Sequence, residues 1–445
     1  MNRPLRVVWI CNVMNPEIIN RLKFKMSFAN YFVRMIQGKN IDLRKEIKEV
    51  SPWITNGINE LKLYQDEVEL HIISPCPYLK NKKQEFIIDG THYHFYRNEI
   101  FTMSYKVKCK LRQGLLQAYE YLGNRNLIKE YIVAIKPNII QLIGAENPFY
   151  SLSALDVPQN IPLIVQLQTL MNEPGFEANF PISHSSYVFR AKSELQILRR
   201  ADYIGCSVNR YVNHIKNNLI PNSIILRTRL AVGVNRQDRL DIKKEFTFVY
   251  FSKYIDKAVD LAIEAFALAQ LKIPFITLLI IGGYTVTFKR NIDQRIEELG
   301  MGNSIFFTGE LPTHADVLSE IQKARFALLP LKVDVTSGTI REAMACGLPV
   351  LTTITQDGTP HLNDARETVL LSPIGDHQAL ANNMIRICHS EKLSCKLREN
   401  GFMTVEEKYS NKRAILDTIA VIKATVNHFY NGSTIPDYLL SKTGD

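Results

Sequence analysis

This 445-residue sequence predicts an α/β protein built as two doubly wound parallel sheets. Three observations predict it. Short, almost continuous apolar runs of strand length alternate along the chain with longer stretches of helical period. One polar, charged segment, Ala231–Glu245 (AVGVNRQDRLDIKKE), interrupts that alternation, which then starts afresh. At about 150 residues per domain the length suggests roughly three units or two larger ones, and the single break selects two.

In the first half, Arg6–Cys11 (RVVWIC) is an unbroken apolar run, the pattern of a strand covered on both faces. Glu67–Ile73 (EVELHII) reads as the next strand. Phe86–Tyr96 holds Asp89-Gly90 between apolar stretches, which is a hairpin signal. Asn138–Ile143, Pro162–Gln168 and Ala201–Cys206 continue the strands, with helical stretches between. In the second half, Phe246–Phe251 is the first strand. Lys257–Gln270 follows as a helix with Val259, Ala262, Ile263, Phe266 and Ala269 on one face. Ile276–Ile281, Ser304–Thr308, Arg325–Pro330, Pro349–Thr353 and Glu367–Leu371 extend that sheet. Helical stretches close the chain at His377–His389, Leu393–Glu407 and Asn411–His428. The domains expected are 1–235 and 236–410, facing a cleft of the kind in which ligands bind.

Hydrophobic residues make up 46% and charged residues 22%, which excludes a disordered chain, a collagen or a coiled coil. The run Ile273–Ile281 is too short to cross a bilayer. Arg3 and Arg6 precede an apolar stretch, as in a signal peptide. That stretch is short, lacks a small-residue cleavage site and runs into Asn15-Pro16-Glu17, so a buried first strand is the reading adopted. Seven scattered cysteines with no C-x-x-C pair fit neither a disulfide framework nor a zinc site, and a cytoplasmic location is expected. The ten histidines show no metal-ligand spacing, and His92 and His94, alternating in a strand, read as hairpin surface. No metal and no cofactor are expected. The net charge of +10 suits a nucleic acid, an anionic membrane face or a phosphorylated substrate. No nucleic-acid motif accompanies it, so that partner is set aside.

The densest chemical signal is Asp334–Gly347 (DVTSGTIREAMACG), where a strand gives way to a loop and a helix. A helix beginning behind Ser337-Gly338-Thr339 presents free N–H groups suited to phosphate, and Gly338 allows close approach. Asp334 and Glu342 stand eight positions apart, and a carboxylate one turn into the helix can accept both hydroxyls of a diol. The same residues read equally as an N-cap and a solvated helix face. Lys253 and Lys257, near a strand end, are cations for a diphosphate or plain surface charge. Gly282-Gly283 and Phe307-Thr308-Gly309-Glu310 mark two further strand-to-loop edges of the same domain.

These pieces resemble the donor domain of retaining glycosyltransferase family 4, of the bacterial polysaccharide type. The resemblance rests on YFSKYIDKAVDLAIEAFALA, LLIIGG, IFFTGEL, FALLPL and REAMACGLPVLTT, in family order over most of residues 246–375. It implies the GT-B fold, two Rossmann-like domains facing a cleft, with the last helix (411–430) packing back on the N-terminal domain. It implies that Asp334 stands for the first carboxylate of the family's Glu-x7-Glu pair, one methylene shorter, and contacts the donor sugar. Glu342, the second, would bind the ribose. Lys253 and Lys257 would stand for the family's Arg-x4-Lys pair with one residue fewer between them. Ser337, Gly338, Thr339, Gly282, Gly283, Phe307 and Gly309 would line the donor. In the first half, Asn15 lies in the loop where the family is often glycine-rich. Glu146 matches a subgroup acid in IIQLIGAENP and reads equally as a buried structural acid. Gln168 in LIVQLQTL stands where many members carry a histidine.

The implied activity is a metal-independent, hexosyltransferase-type transfer from a nucleotide diphosphate sugar, with retention, to a hydroxyl of a glycan or lipid-linked acceptor. Surface polysaccharide biosynthesis is the implied setting. A sugar-nucleotide 2-epimerase on the same fold, or a non-catalytic GT-B protein that binds a sugar nucleotide or a partner, is the alternative. Two basic clusters mixed with apolar residues, Arg21, Lys23 and Lys25 around Phe24 and Lys106, Lys108, Lys110 and Arg112, suit peripheral docking on the inner face of an anionic membrane. Solvated loops or strand edges explain them equally.

Overall fold

The structure is a computed structural model. It describes residues 3–25, 35, 44, 47, 49–98, 114, 117, 119–177, 182–206, 208–229, 231, 242–255, 258–332, 337–355 and 358–442. Contacts divide the chain into two units, Met1–Leu230 with Ala414–Asp445, and Ala231–Arg413.

The first unit holds an eight-stranded sheet in the order β3-β4-β2-β1-β5-β6-β7-β8. Its strands are β1 (Leu5–Ile10), β2 (Val68–Pro75), β3 (Lys83–Ile88), β4 (Thr91–Tyr96), β5 (Ile139–Ile143), β6 (Leu163–Gln166), β7 (Tyr203–Gly205) and β8 (Ile225–Leu226). All neighbours run parallel except β3, which is antiparallel to β4. The unbroken apolar run of β1 has a direct cause. Val7 and Trp9 enter one core while Val8 and Ile10 enter the other, so no position from Val7 to Ile10 faces water. Asp89 and Gly90 both take positive φ, 45° and 78°, the backbone that a two-residue hairpin turn requires.

The helix Asn411–Asn431 supplies Ile415, Ile419 and Ile422 to the core that holds Trp9. It is fastened along its length by Lys423 to Glu67, by Arg229 to Asp417 and by a 2.6 Å hydrogen bond between Tyr203 Oη and His428 Nδ1. The opposite face of the sheet is covered by Leu122–Ile135 and His184–Arg200, through residues such as Ile128, Ile132 and Ile197. Because helix Leu122–Ile135 lies there, His94 is buried against Tyr131 instead of forming the hairpin surface that its alternation suggested.

The second unit is a six-stranded, wholly parallel sheet in the order β11-β10-β9-β12-β13-β14. Its strands are β9 (Phe246–Tyr254), β10 (Leu278–Gly283), β11 (Ile305–Gly309), β12 (Ala324–Leu328), β13 (Val350–Ile354) and β14 (Val369–Pro373). Helices Val259–Gln270, Val286–Glu298, His314–Ile321, Gly338–Ala345, His377–Cys388 and Glu391–Thr404 accompany it. One continuous core runs through the unit, with Phe248, Phe266 and Phe326 among its fully buried side chains. The chain steps from β9 outward to β11, then returns to place β12 on the other side of β9. That reversal is the topological switch point at which parallel sheets bind ligands. The first unit reverses likewise between β1 and β5.

Two details differ from expectation. Strand β9 continues to Tyr254, so Lys253 lies within it rather than beyond it. Strand β8 has only two residues, too few to leave a periodic signal. Among the described residues, six cysteines are free and no helix is long and apolar enough to cross a membrane.

Gly282 shows why the β10 exit is glycine. Its φ is +142°, and a Cβ there would sit 1.9 Å from the Ser252 carbonyl oxygen and 2.9 Å from Ile255 Cγ2. Neighbouring backbone cannot yield to that contact. Gly282→Ala is expected to cost about 2–4 kcal/mol in urea unfolding. Gly302→Ala, where a Cβ would meet nothing within 4 Å, should leave the midpoint unmoved.

Candidate active site

In the second unit the C-terminal ends of β9, β10, β11 and β12 gather the predicted donor residues on one edge. Tyr254 is level with Gly283 in the β9–β10 ladder, and Ile281 with Gly309 in the β10–β11 ladder. Lys253 is exposed at the end of β9. Gly309, with φ +73°, turns the chain out of β11. Phe307 is half-buried, with Lys289 Nζ 4.1 Å above its ring and Tyr284 edge-on at 6.3 Å. Lys289 and Tyr284 were not singled out from the sequence, where a lone lysine and tyrosine in a loop and helix start carry no signal. Lys257 and Asp334 lie outside the described residues.

The helix after β12 begins as the sequence suggested. Ser337 caps it by accepting from Ile340 N at 3.4 Å, and its hydroxyl lies 2.8 Å from that of Thr339. The cap leaves the Gly338 backbone at the first turn of the helix, at the sheet edge. Glu342, in the second turn, is not a solvated helix residue. Its side chain keeps 14% of its surface exposed, and burial pushes its carboxyl up to about 7.

The partner of Glu342 is a residue to which the sequence reading gave no role. His314 Nε2 lies 3.5 Å from Glu342 Oε1. His314 opens the helix His314–Ile321, whose start is fixed by a capping box. Thr313 Oγ1 accepts from Asp316 N at 3.1 Å, and Asp316 Oδ2 accepts from Thr313 N at 3.0 Å. The T-H-A-D sequence shortly after a strand was the available signal: it locates a helix start at the same sheet edge. Burial lowers the His314 pKa, and its Nε2 is buried without a hydrogen-bond partner. A neutral imidazole and a carboxyl drawn towards neutrality therefore face each other across a gap slightly longer than a hydrogen bond. A ligand hydroxyl set between or beside them would find both a donor and an acceptor.

The first unit treats its three predicted residues differently. Asn15 is buried, and its side-chain oxygen accepts from Ile18 N at 2.9 Å, so it caps the helix Pro16–Arg21. Glu146 sits just past β5 with 8% of its surface exposed. Desolvation pushes its carboxyl up to about 7. Its Oε1 accepts from Asn147 Nδ2 at 2.9 Å, whereas its Oε2 is buried and unpartnered. Gly144, at φ +87°, makes room for it, since a Cβ there would lie 2.8 Å from Oε1 and 2.9 Å from Oε2. Gln168 is half-buried two residues past β6. Glu194 pins the chain just beyond Gln168 by accepting from Met171 N and Asn172 N, both at 3.0 Å.

Residues 234–403 match the family model Glycosyl transferases group 1. No curated protein sequence matches the chain. Solved structures do. Sucrose-phosphate synthase from Thermosynechococcus elongatus is similar at 16% identity and a TM-score of 0.65, over 94% of this chain and 98% of that one. The fold is GT-B. An E. coli trehalose-6-phosphate structure bound with UDP-2-fluoro glucose is similar at 11% identity and a TM-score of 0.62, over 94% of this chain and 99% of that one. Anabaena HepE in complex with UDP and glucose is similar at 13% identity and a TM-score of 0.57, over 94% of this chain and 100% of that one. In this GT-B chain the matched segment contains Lys253, Gly282, Gly283, Phe307, Gly309, His314, Ser337 and Glu342.

The raised Glu342 carboxyl fixes the sign of a pH effect. A carboxyl whose pKa is higher in the folded state than in the unfolded one binds its proton more tightly when folded. Its contribution is fully present below the unfolded value and is lost as pH rises towards about 7. Relative to wild type, Glu342→Gln should therefore gain stability between about pH 5 and about pH 8 in parallel urea titrations. Equal differences at both pH values would show that Glu342 is not desolvated.

Proposed function

We propose that this GT-B chain is a glycosyltransferase that uses a nucleotide diphosphate sugar and transfers the sugar with retention, without a metal, to a hydroxyl of a glycan or lipid-linked acceptor. The observation that carries the reading is Glu342: a nearly buried carboxylate in the second turn of a capped helix at the switch-point edge, facing His314. Keeping a carboxyl in so dry a position costs stability unless a ligand uses it. A ribose diol uses it well, donating two hydrogen bonds to the ionised form. The Gly338 and Thr339 backbone would take the phosphates, Asp334 the donor sugar, and Lys253 and Lys257 the charge that grows on the leaving diphosphate. Gly282, Gly283, Phe307 and Gly309 would form the wall of the donor pocket. The similar Anabaena and E. coli structures hold UDP and UDP-2-fluoro glucose, respectively, which makes UDP-sugars the first donors to test.

In this reading no side chain attacks the sugar. The acceptor hydroxyl adds on the face that the leaving phosphate vacates, and a phosphate oxygen takes its proton. Glu146, Gln168 and Asn15 would belong to the acceptor side, with Gln168 able to hydrogen-bond a sugar but not to move a proton. Asn15 would act through the helix it caps. The setting would be the cytoplasm, with peripheral attachment to an anionic membrane in the assembly of a surface polysaccharide. The Glu342–His314 pair also favours a second reading, a sugar-nucleotide 2-epimerase, which needs a carboxylate and a histidine for proton transfer.

Calorimetry with UDP and a nucleotide-release assay decide between them. A transferase liberates UDP from a UDP-sugar when acceptor is present, an epimerase without acceptor, and a binding protein not at all. Glu342→Ala is expected to weaken UDP binding about a hundredfold with the fold intact. Unchanged UDP affinity would remove Glu342 from the site.

The membrane proposal rests on Arg21, Lys23 and Lys25, all exposed around half-buried Phe24. The second basic cluster, Lys106–Arg112, lies outside the described residues. Each basic residue at such a surface contributes about 1 kcal/mol. Lys23→Glu with Lys25→Glu should release the protein from anionic vesicles in sedimentation and leave turnover of a short soluble acceptor unchanged. Undiminished sedimentation would exclude this segment as the docking surface.

A further inference from the structure

Four titratable side chains lie together on the face of the first sheet covered by helix Leu122–Ile135, where β2 and β4 begin. Glu69 and His71 point to one face of β2, and His92 and His94 to the same face of β4, with His71 level with His92 in the ladder. Strands β1 and β5 send their C-terminal ends, with Asn15 and Glu146, to the opposite edge. The group therefore stands apart from the machinery assigned above.

The contacts form a chain. Glu69 Oε1 lies 2.9 Å from His71 Nε2, and His71 Nδ1 lies 3.0 Å from His94 Nε2. His94 Nδ1 lies 3.5 Å from Glu85 Oε2, and it is buried with no hydrogen-bond partner. The His92 ring stacks on His71 with centroids 4.5 Å apart. Arg6 Nε donates to Glu69 Oε1 at 3.1 Å and steadies that carboxylate. Lys83 pairs with Glu130 at 2.6 Å and lies 4.4 Å over the ring of Tyr131, which packs against His94.

Counting protons shows what the cluster lacks. Two neutral imidazoles carry two N–H groups, but three gaps need filling: Glu69 to His71, His71 to His94, and His94 to Glu85. If His71 donates to Glu69 and His94 to His71, then His94 Nδ1 is left bare, buried and facing a carboxylate. If the protons shift the other way, His94 Nδ1–H faces Glu85 and His71 Nδ1–H donates to His94. The lone pair of His71 Nε2 then confronts the Glu69 carboxylate at 2.9 Å. A cation shared by the two atoms, a metal ion or an added proton, would relieve that contact.

We propose that Glu69, His71 and His92 bind a divalent first-row transition ion, zinc in the first instance. One ligand atom from each residue lies within 4.8 Å of the other two. Ligands about 2.0–2.2 Å from zinc need a modest contraction from that spread, which the half-exposed Glu69 and His92 side chains can supply by rotation. His71 then coordinates through Nε2 while its Nδ1–H donates to His94, the kind of hydrogen bond that fixes the tautomer of a metal-bound histidine. His94 in turn keeps its Nδ1–H for Glu85. The bound ion would clamp the β3–β4 hairpin to β2.

The test uses the whole chain, stripped with a chelator and dialysed. Zinc chloride should raise the melting temperature and saturate at one equivalent, and cobalt chloride should give the visible absorption bands of a low-symmetry cobalt site. His92→Gln, which changes one of the two half-exposed ligands, should melt like the stripped wild type and gain nothing from zinc. A zinc response that survives in His92→Gln, or no response and no cobalt bands in the wild type, overturns the proposal. If His92→Gln does not fold, the cobalt spectrum of Glu69→Gln against wild type decides: identical bands overturn it and lost bands support it.

Discussion

A parallel strand covered on both faces has nowhere to place chemistry except at its ends. In β1 and β10 every described side chain from Val7 to Ile10 and from Leu278 to Ile281 is buried. The polar groups that a ligand needs must therefore come from the loops where the strands stop, and parallel pairing sends those loops to one edge. The reversal of strand order at β9–β12 then opens a gap between diverging helices on that edge. Lys253, Gly283, Gly309 and the cap at Ser337 are collected by this constraint alone, although up to 84 residues separate them in sequence.

Glu342 is where this geometry becomes electrostatic. A helix packed on a parallel sheet turns one side inward. Ile340, Ala343, Met344 and Ala345 take the buried positions of Gly338–Ala345, and Glu342 lies between that face and the edge. Its desolvation is therefore imposed by the packing of its neighbours rather than by a charged partner. Among the described residues, the carboxyl has no cation within salt-bridge distance other than His314, which burial itself tends to keep neutral. An acid held near neutrality beside a neutral imidazole is a pair that gains from a polar ligand and gains little from each other. Glu146 repeats the pattern in the first unit, with one oxygen satisfied by Asn147 and the other bare.

The parts of this arrangement that the sequence disclosed are those with local causes. Strands came from apolar runs, the hairpin from Asp89-Gly90, and the helix start from Ser337 ahead of an apolar period. The strand exits at Gly282-Gly283 and Phe307-Thr308-Gly309 and the helix start at Ser337 were legible because glycines and caps at such places are forced by backbone geometry, as the Ser252 contact at Gly282 shows. What stayed hidden depended on contacts between distant segments. His314 is 28 residues from Glu342, and nothing in its own neighbourhood beyond a capping box marks it. Lys253 shifted from loop to strand because β9 gains pairing from β10 as far as Tyr254, a tertiary fact. Asn15 looked like a ligand-facing loop residue, yet its side-chain oxygen is committed to Ile18 N.

The histidines follow the same logic in reverse. His92 and His94 alternate in β4, and alternation ordinarily means one face in water. That inference fails wherever a helix from far along the chain covers the polar face, and here Leu122–Ile135 does so with Tyr131. Once covered, an alternating polar strand becomes a row of buried donors and acceptors that must be satisfied sideways, by the neighbouring strands. Parallel pairing supplies the satisfaction, because it sets His71 beside His92 and one step from His94. A sequence pattern that would be bland on an exposed sheet thus acquires chemistry from register alone. The same sheet then carries buried ionisable groups at both ends of its strands: carboxylic acid at the end where the chain leaves, and imidazole at the end where it enters.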